Sequence, residues 1–414
     1  MAVVEPNVVA LELEKVVSKV QTLFDMDDKF FSNIKKKNVE TISYRQMRVP
    51  LKLRPGGAFG YFDPNGGDLG RGTGPQWDKA VVQSVFLKEG VEYTKLTAWA
   101  TDDNRKSVQN AVRELVSSTL DEFKKQIDSQ SMQSGTGQVG TISSVTTSGG
   151  VDTYVLTNVF GAKLVRFNQT VQVFDSTMAT LRGSGVITLW DVANNTIQVT
   201  PAIAASAATD VLITEGITSP LSMPALYGVP YQHSNASTGT WLGFSRASTP
   251  EIRANRVNGG GVAFALPLPR LAINYIGNRV GIDNTFKPKA WLHPCQKQAY
   301  EDIGQSVSWI QKQPKEEGLN MYFDKMSMAG APTMESFSWA KDRIDFVTDD
   351  VWGRGETLPV GFYKTDGRNI FEIRGASGGV ATAEIFYMVT GFQFFVNNPA
   401  ACAYIDNLAI PSGY

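Results

Sequence analysis

Cysteine and histidine are almost missing from this sequence: 414 residues hold two of each. Cys295 and Cys402 are too few for a disulfide framework, and their separation matches no zinc-binding spacing. His233 and His293 leave little material for imidazole-based acid–base chemistry. Charge of either sign is sparse as well. Charged residues make up 19% of the chain, below the ~25% usual in soluble domains, which suits a surface partly covered by other chains. Nor is there a basic excess: 39 Lys plus Arg stand against 40 Asp plus Glu, a net charge of −1. That excludes a protein gripping nucleic-acid phosphates over most of its surface. No apolar run is long enough for a bilayer, since the most apolar late stretch, Ile385 to Val396, has about 12 residues where about 20 are needed. Met1 to Pro6 show no basic segment followed by an apolar core. The expectation is a soluble chain assembled in a reducing cytoplasm.

Apolar material is plentiful, at 42%, enough for two or three compact units at about 150 residues each. Leu11 to Phe24 reads as a helix, with Leu13, Val16, Val17, Val20, Leu23 and Phe24 at three- and four-residue spacing. A second short helix is predicted over Asp28 to Lys36. Val39 to Leu53 and Ala80 to Thr97 have strand character and flank a segment, Pro55 to Pro75, that holds eight glycines with Phe59, Tyr61 and Phe62. This predicts an extended hairpin with arms of about 15 residues, on the order of 50 Å long. An isolated hairpin is marginal in water, so either its own domain or another copy of the chain must complete its faces.

Asp102 to Ser129 is the clearest helix, capped by Thr101, Asp102 and Asp103. Its apolar stripe runs from Val108 through Leu115 and Phe123 to Ile127, with Arg113, Glu114, Asp121, Glu122, Lys124 and Lys125 on the wet face. Gln130 to Gly150 reads as a linker rich in Ser, Gly, Thr and Gln. From about Val139 to Gly216, short strands recur every 8–12 residues or so, which predicts a small β-barrel or sandwich inserted in the main fold. The remainder mixes both types, with helices at Leu268–Arg279 and His293–Ile303 and strands at 343–347, 369–374, 383–389 and 392–396.

Sites for chemistry are scarce. Gly375 to Gly379, centred on Ser377, matches the nucleophile-elbow pattern, but both histidines precede it, and a strand follows where the elbow requires a helix. The glycines of 66–74 lack the Gly-Lys of a P-loop and lead into a strand. His293-Pro294-Cys295 has no second ligand pair. Adjacent carboxylates at Asp102–Asp103 and Asp349–Asp350 do not face one site when helical. The reading is no enzyme, no cofactor and no metal.

The order of parts resembles the major capsid proteins of tailed bacteriophages (the HK-ninety-seven-like fold), a fold shared with encapsulin nanocompartments. Leu226-Tyr227-Gly228-Val229, Trp241 to Arg246 leading to Pro250, and Asn397-Asn398-Pro399-Ala400-Ala401 add local likeness. The resemblance implies an α+β capsid fold: an N-terminal helical arm (1–38), an extended β-loop (39–98), a spine helix with the start of a peripheral domain (99–138), an inserted all-β domain (139–217), and an axial domain with the rest of the peripheral domain (218–414). It further implies self-assembly into hexamers and pentamers of an icosahedral virion shell around double-stranded DNA. Scaffold, portal and decoration proteins are the further partners, DNA is touched weakly and non-specifically, and no membrane is involved. Aromatics favour interface cores, so Phe59, Tyr61, Phe62 and Trp77 become candidate anchors between subunits. Arg45, Arg48, Arg54 and Arg71 become candidate partners for a neighbour's carboxylates. An encapsulin-type shell, a β-rich phage tail or binding protein, and a hydrolase using Ser377 are the rival readings.

Overall fold

The computed structural model describes residues 29–37, 39–43, 45–61, 71–94, 105–221, 225–281, 287–308, 327–365, 368–374 and 380–414. The helix read at Leu11–Phe24, the capping residues 101–103 and the Ser377 turn lie outside these. Helix α1 (Lys29–Asn33) precedes β1 (Glu40–Ser43), β2 (Gln46–Arg54), β3 (Gln76–Gln83) and β4 (Val85–Thr94). The long helix α2 (Arg105–Gln130) leads to β5 (Gln138–Ser148), β6 (Val151–Leu156), β7 (Thr170–Phe174), β8 (Leu181–Asp191), β9 (Thr196–Thr200) and β10 (Val211–Thr214). Next come β11 (Thr240–Trp241), β12 (Phe244–Ser245), β13 (Asn255–Asn258), α3 (Pro267–Val280), β14 (Pro288–Leu292) and α4 (Pro294–Ser308). The chain closes with β15 (Ser327–Met328), β16 (Ala331–Glu335), β17 (Ile344–Thr348), β18 (Trp352–Phe362), β19 (Ile370–Arg374), β20 (Val380–Val396) and β21 (Ala403–Asp406). No described helix is long and apolar enough to cross a membrane.

Two units emerge: a smaller one of residues 86–128 and 358–392, and a larger one of 29–85, 129–357 and 393–414. In the smaller unit β4, β18 and β19 all pair with β20. Two strands were expected over 383–396, but β20 runs unbroken through Gly391. The glycine is required by packing, not by a turn: a Cβ there would lie 2.7 Å from the ring of Phe86 and 3.1 Å from Leu358 Cβ. The last turns of α2 bury Phe123 and Ile127, and Lys125, expected on the wet face, is buried too.

In the larger unit, β5 to β10 close into an antiparallel barrel of order β10-β5-β6-β9-β8-β7, which leaves no free edge. Alternation turns Val139, Tyr154, Val171, Val173, Ile187, Ile197, Val199 and Leu212 inward as a single apolar core. Asp152 is buried with them. Asp152 accepts hydrogen bonds from Thr147 Oγ1 (2.5 Å), Tyr154 OH (2.9 Å) and the Ile203 N–H (2.6 Å), so its charge is satisfied by donors.

A six-stranded mixed sheet, β13-β21-β17-β14-β16-β15, forms the rest of this unit's centre. Period-two alternation sends Ala290, Leu292, Ile344, Phe346, Ala403 and Ile405 into the cluster that also takes Ala272 and Ile276 of α3. The intervening residues face the other way, and there Trp291 meets Phe30 (5.3 Å, edge to face) and stacks on Trp339 (5.5 Å). Phe30 also meets Trp352 at 5.5 Å. The short helix expected over Asp28–Lys36 is a plug: Phe30, Phe31 and Ile34 of 29–34 are buried in the chain's own core. Lys37 N–H to Arg354 O and Arg354 N–H to Lys35 O then tie the segment to β18.

The hairpin is shorter than expected. The run Ala80–Thr97 breaks at Ser84, whose N–H reaches Arg45 O (2.9 Å), and β4 belongs to the other unit's sheet. The register explains the break, because Ala80 and Val82 point inward from β3 whereas Val85 and Leu87 continue at the opposite parity. Arms of nine and eight residues reach roughly 30 Å.

Candidate assembly surface

β1, β2 and β3 form an antiparallel sheet in which Met47 lies opposite Val82 and Val49 opposite Ala80. Burial along β2 alternates strictly, so Met47, Val49 and Leu51 form one face. That face is covered by the same chain: Trp241, Leu242, Ile252 and Phe395 pack on it. Of the two supports the sequence left open, the chain's own domain is the one that completes the inner face. Trp241 is held in place by its Nε1–H, which donates to Gln232 Oε1 at 2.9 Å, so the floor under the hairpin is fixed as well as apolar.

The outer face and the far end are different. Arg48, Lys52 and Lys79 are exposed, with Arg48 opposite Glu40 and Lys79 Nζ 3.4 Å from Glu40. Arg45 and Arg71 are exposed, one at the turn before β2 and one beyond the hairpin tip. Arg54 is not free for a neighbour in the same way: its Nε donates to Glu251 Oε1 at 2.8 Å and its Nη2 to Ser248 O at 3.4 Å. Trp77 is 64% exposed, with Lys52 Nζ 5.6 Å from its ring centre. Phe59 and Tyr61 are 96% and 99% exposed and touch each other edge to face at 6.1 Å. Phe62 lies outside the described residues. Phe59 and Tyr61 thus meet almost nothing else of their own chain, and Trp77 is only partly shielded.

The groups read as candidate chemistry are used structurally where they are described. His293 Nδ1 accepts the Cys295 N–H at 3.1 Å and so caps α4. Burial, with Lys341 and Lys163 nearby, lowers its pKa to about 4, and burial pushes the Cys295 thiol up to about 11. The Nδ1 lone pair is thus taken by a backbone N–H, and the buried thiol points to Lys341 O at 3.6 Å, so both groups are engaged within the chain. The second histidine sits in a network that the sequence reading missed. His233 Nδ1 lies 3.0 Å from Asp345 Oδ1, and Trp352 Nε1–H donates to His233 Nε2 at 3.1 Å. An indole can only donate, so Nε2 carries the lone pair and Nδ1 the proton. Asp345 also takes the Trp339 N–H (3.1 Å) and both arms of Arg343 (2.8 and 2.7 Å). Burial alone would raise its pKa; Arg343 and the His233 hydrogen bond outweigh that and hold it below the ordinary value. With His233 and Asp345 both buried, the network is a pin inside the core. Among the described residues no group of three or more His, Cys, Asp or Glu is placed to hold a metal ion.

No family model matches the sequence, and no curated protein matches it. Solved structures do. The capsid asymmetric unit of cyanophage A-1(L) is similar at a TM-score of 0.55 and 12% identity, over 97% of this chain and 99% of that one. The capsid of a native GTA particle (TM-score 0.47, 10% identity, 95% of each chain) and the holo-SrpI encapsulin complex of Synechococcus elongatus (0.47, 10% identity, 100% and 99%) are more distant. At that identity the first likeness defines the fold: α+β, built as the cyanophage capsid chain is built, end to end.

Proposed function

We propose that this chain is a shell-forming subunit, the major capsid protein of a tailed bacteriophage, that closes into an icosahedral head around double-stranded DNA. Fold alone does not carry function. What supports the reading is the hairpin end, where Phe59 and Tyr61 stand almost fully exposed beyond a stem already packed on its own chain. Large exposed aromatics mark interfaces, and repeated copies of one modest contact give a stable closed assembly through multivalency and symmetry. Hexamers and pentamers follow from such closure. Scaffold, portal and decoration proteins are the further partners, and a net charge of −1 keeps contact with packaged DNA weak.

Negative-stain microscopy of the expressed chain tests this: closed spherical particles are expected. Deleting Gly56–Gly74 is expected to leave folded protein without particles. Trimers, tubes or a monomer at high concentration would refute the reading. Particles filled with protein and free of nucleic acid would move it to the encapsulin type.

A further inference from the structure

Within the smaller unit, successive side chains of β20 point to opposite faces of the sheet. Phe386, Met388 and Thr390 are buried on one of them. Tyr93 of β4 belongs to that face, with its ring 6.4 Å from Phe386 and its hydroxyl donating to Glu384 at 2.7 Å. The opposite face is apolar too. Ile385, Tyr387 and Val389 are only half-buried there, and Phe86 of β4 and Leu358 of β18 are 50% and 38% exposed. Its rings lie across glycines: a Cβ on Gly90 would stand 2.8 Å from the Tyr387 ring, as one on Gly391 would stand 2.7 Å from Phe86. Rings seated in this way make the face flat. The row continues from Tyr387 to Phe371 (6.3 Å) and on to Tyr363 (5.9 Å), which is 49% exposed. A sheet apolar on both faces is the pattern of one covered on both, and the described residues leave this face open.

Burial along β4 alternates as well, so Phe86, Lys88, Gly90 and Glu92 share the open face. Neither the Lys88 nor the Glu92 side chain makes a hydrogen bond or ion pair to another described residue. They stand one on each side of Gly90, about 13 Å apart along the strand. We propose that this face pairs with the same face of a second copy of the chain, sheet on sheet, about a two-fold axis crossing β4 at Gly90. Such an axis brings Lys88 of each copy opposite Glu92 of the other. The aromatic platforms then meet in the middle, and two Lys88–Glu92 pairs close the ends. Packed sheets lie about 10 Å apart, a gap that an extended lysine and glutamate span together. An isologous contact requires a patch that complements itself, and opposite charges at equal distances from Gly90 meet that requirement. DNA, or any partner of uniform charge, gains at one of these two residues and loses at the other. The contact does not rest on the capsid reading, since two copies suffice to make it.

Carbodiimide crosslinking of the full chain tests this, because the reagent joins a touching ammonium and carboxylate as an amide. Heavy-isotope-labelled and unlabelled chains are mixed before they associate, and the product is read by mass spectrometry. Lys88 joined to Glu92 in mixed-isotope form is expected. No such product, a product of single isotope only, or Lys88 joined to a carboxylate elsewhere in the chain would overturn the proposal. Sedimentation of charge variants gives a second reading. Lys88→Glu and Glu92→Lys should each weaken self-association at least about tenfold, since each sets like charges face to face. The double exchange should restore it. Single variants that associate as the unaltered chain does, or a double variant that stays weak, would equally refute the contact. Particles without the mixed product would sink this interface and leave the capsid reading standing; the mixed product without particles would do the reverse.

Discussion

The barrel and the hairpin are both antiparallel β-structures of one unit, yet they end differently. In the barrel every strand is paired on both sides and the inward side chains fill one another's space, so no strand edge is left open and the core is complete within the chain. The hairpin stem is completed on one face by Trp241, Leu242, Ile252 and Phe395, but its end exposes Phe59 and Tyr61. The difference separates two uses of aromatic and aliphatic area. Inside the barrel it stabilises the monomer; at the hairpin end it does nothing for the monomer and is available to a partner.

The sharpest way to break that comparison is to remove the tip aromatics. Phe59→Ser with Tyr61→Ser is expected to abolish particle formation in electron micrographs. The midpoint of chemical unfolding should stay put, because exposed positions outside packed features change stability by no more than about 0.5 kcal/mol. A tip that packed on its own chain would instead reveal itself as a lowered midpoint.

The barrel should respond the other way. Ile197 is fully buried in its core, and Ile197→Ala is expected to lose about 2–5 kcal/mol of stability, the range for a buried aliphatic truncated to alanine. Denaturant titration measures it. Chains that do fold should still assemble, since the tip is untouched. Assembly lost without a stability change would mean that the barrel, too, is an interface.

Much of this contrast was legible in the sequence, for a physical reason. The 8–12-residue rhythm of strands and turns between 139 and 216 is local, and closure of β5 to β10 needs no distant residue to be read. The eight glycines and three aromatics of 55–75 likewise announce a projecting end. What was not legible depends on tertiary context. Val81, Val82 and Val85 read as one strand because an apolar run hides a change of parity, and only pairing with β20 shows that β4 belongs elsewhere. Gly391 looks like a turn until Phe86 is seen crossing it. Asp345 sits mid-strand between Ile344 and Phe346, where nothing local announces His233, 112 positions earlier, as its partner.

A third situation lies between the satisfied barrel and the open hairpin end: a buried group left without its partner. Glu89 of β4 has an oxygen, Oε2, that is buried and unpaired among the described residues. Burial, with the Glu122 charge adding to it, raises its pKa to about 7 from 4.5. The sign follows from linkage. Above pH 7 the carboxyl is ionised in both folded and unfolded chains and the fold bears the full cost of burying the charge. As the pH falls through 7 the folded form takes up the proton first and the cost disappears, until below about 4.5 both forms are protonated. A shift of that size corresponds to roughly 3 kcal/mol. Glu89→Gln cannot ionise, so it should stabilise the chain by on the order of 2–3 kcal/mol at pH 8 and by almost nothing near pH 4.5. Asp345, whose pKa is lowered, works in the opposite sense and weakens the fold as the pH drops below the ordinary carboxylate range, but equally in both proteins. Only the difference between the two unfolding curves, taken at each pH, isolates Glu89, and a difference that stayed constant with pH would mean that this carboxyl has a solvated partner after all.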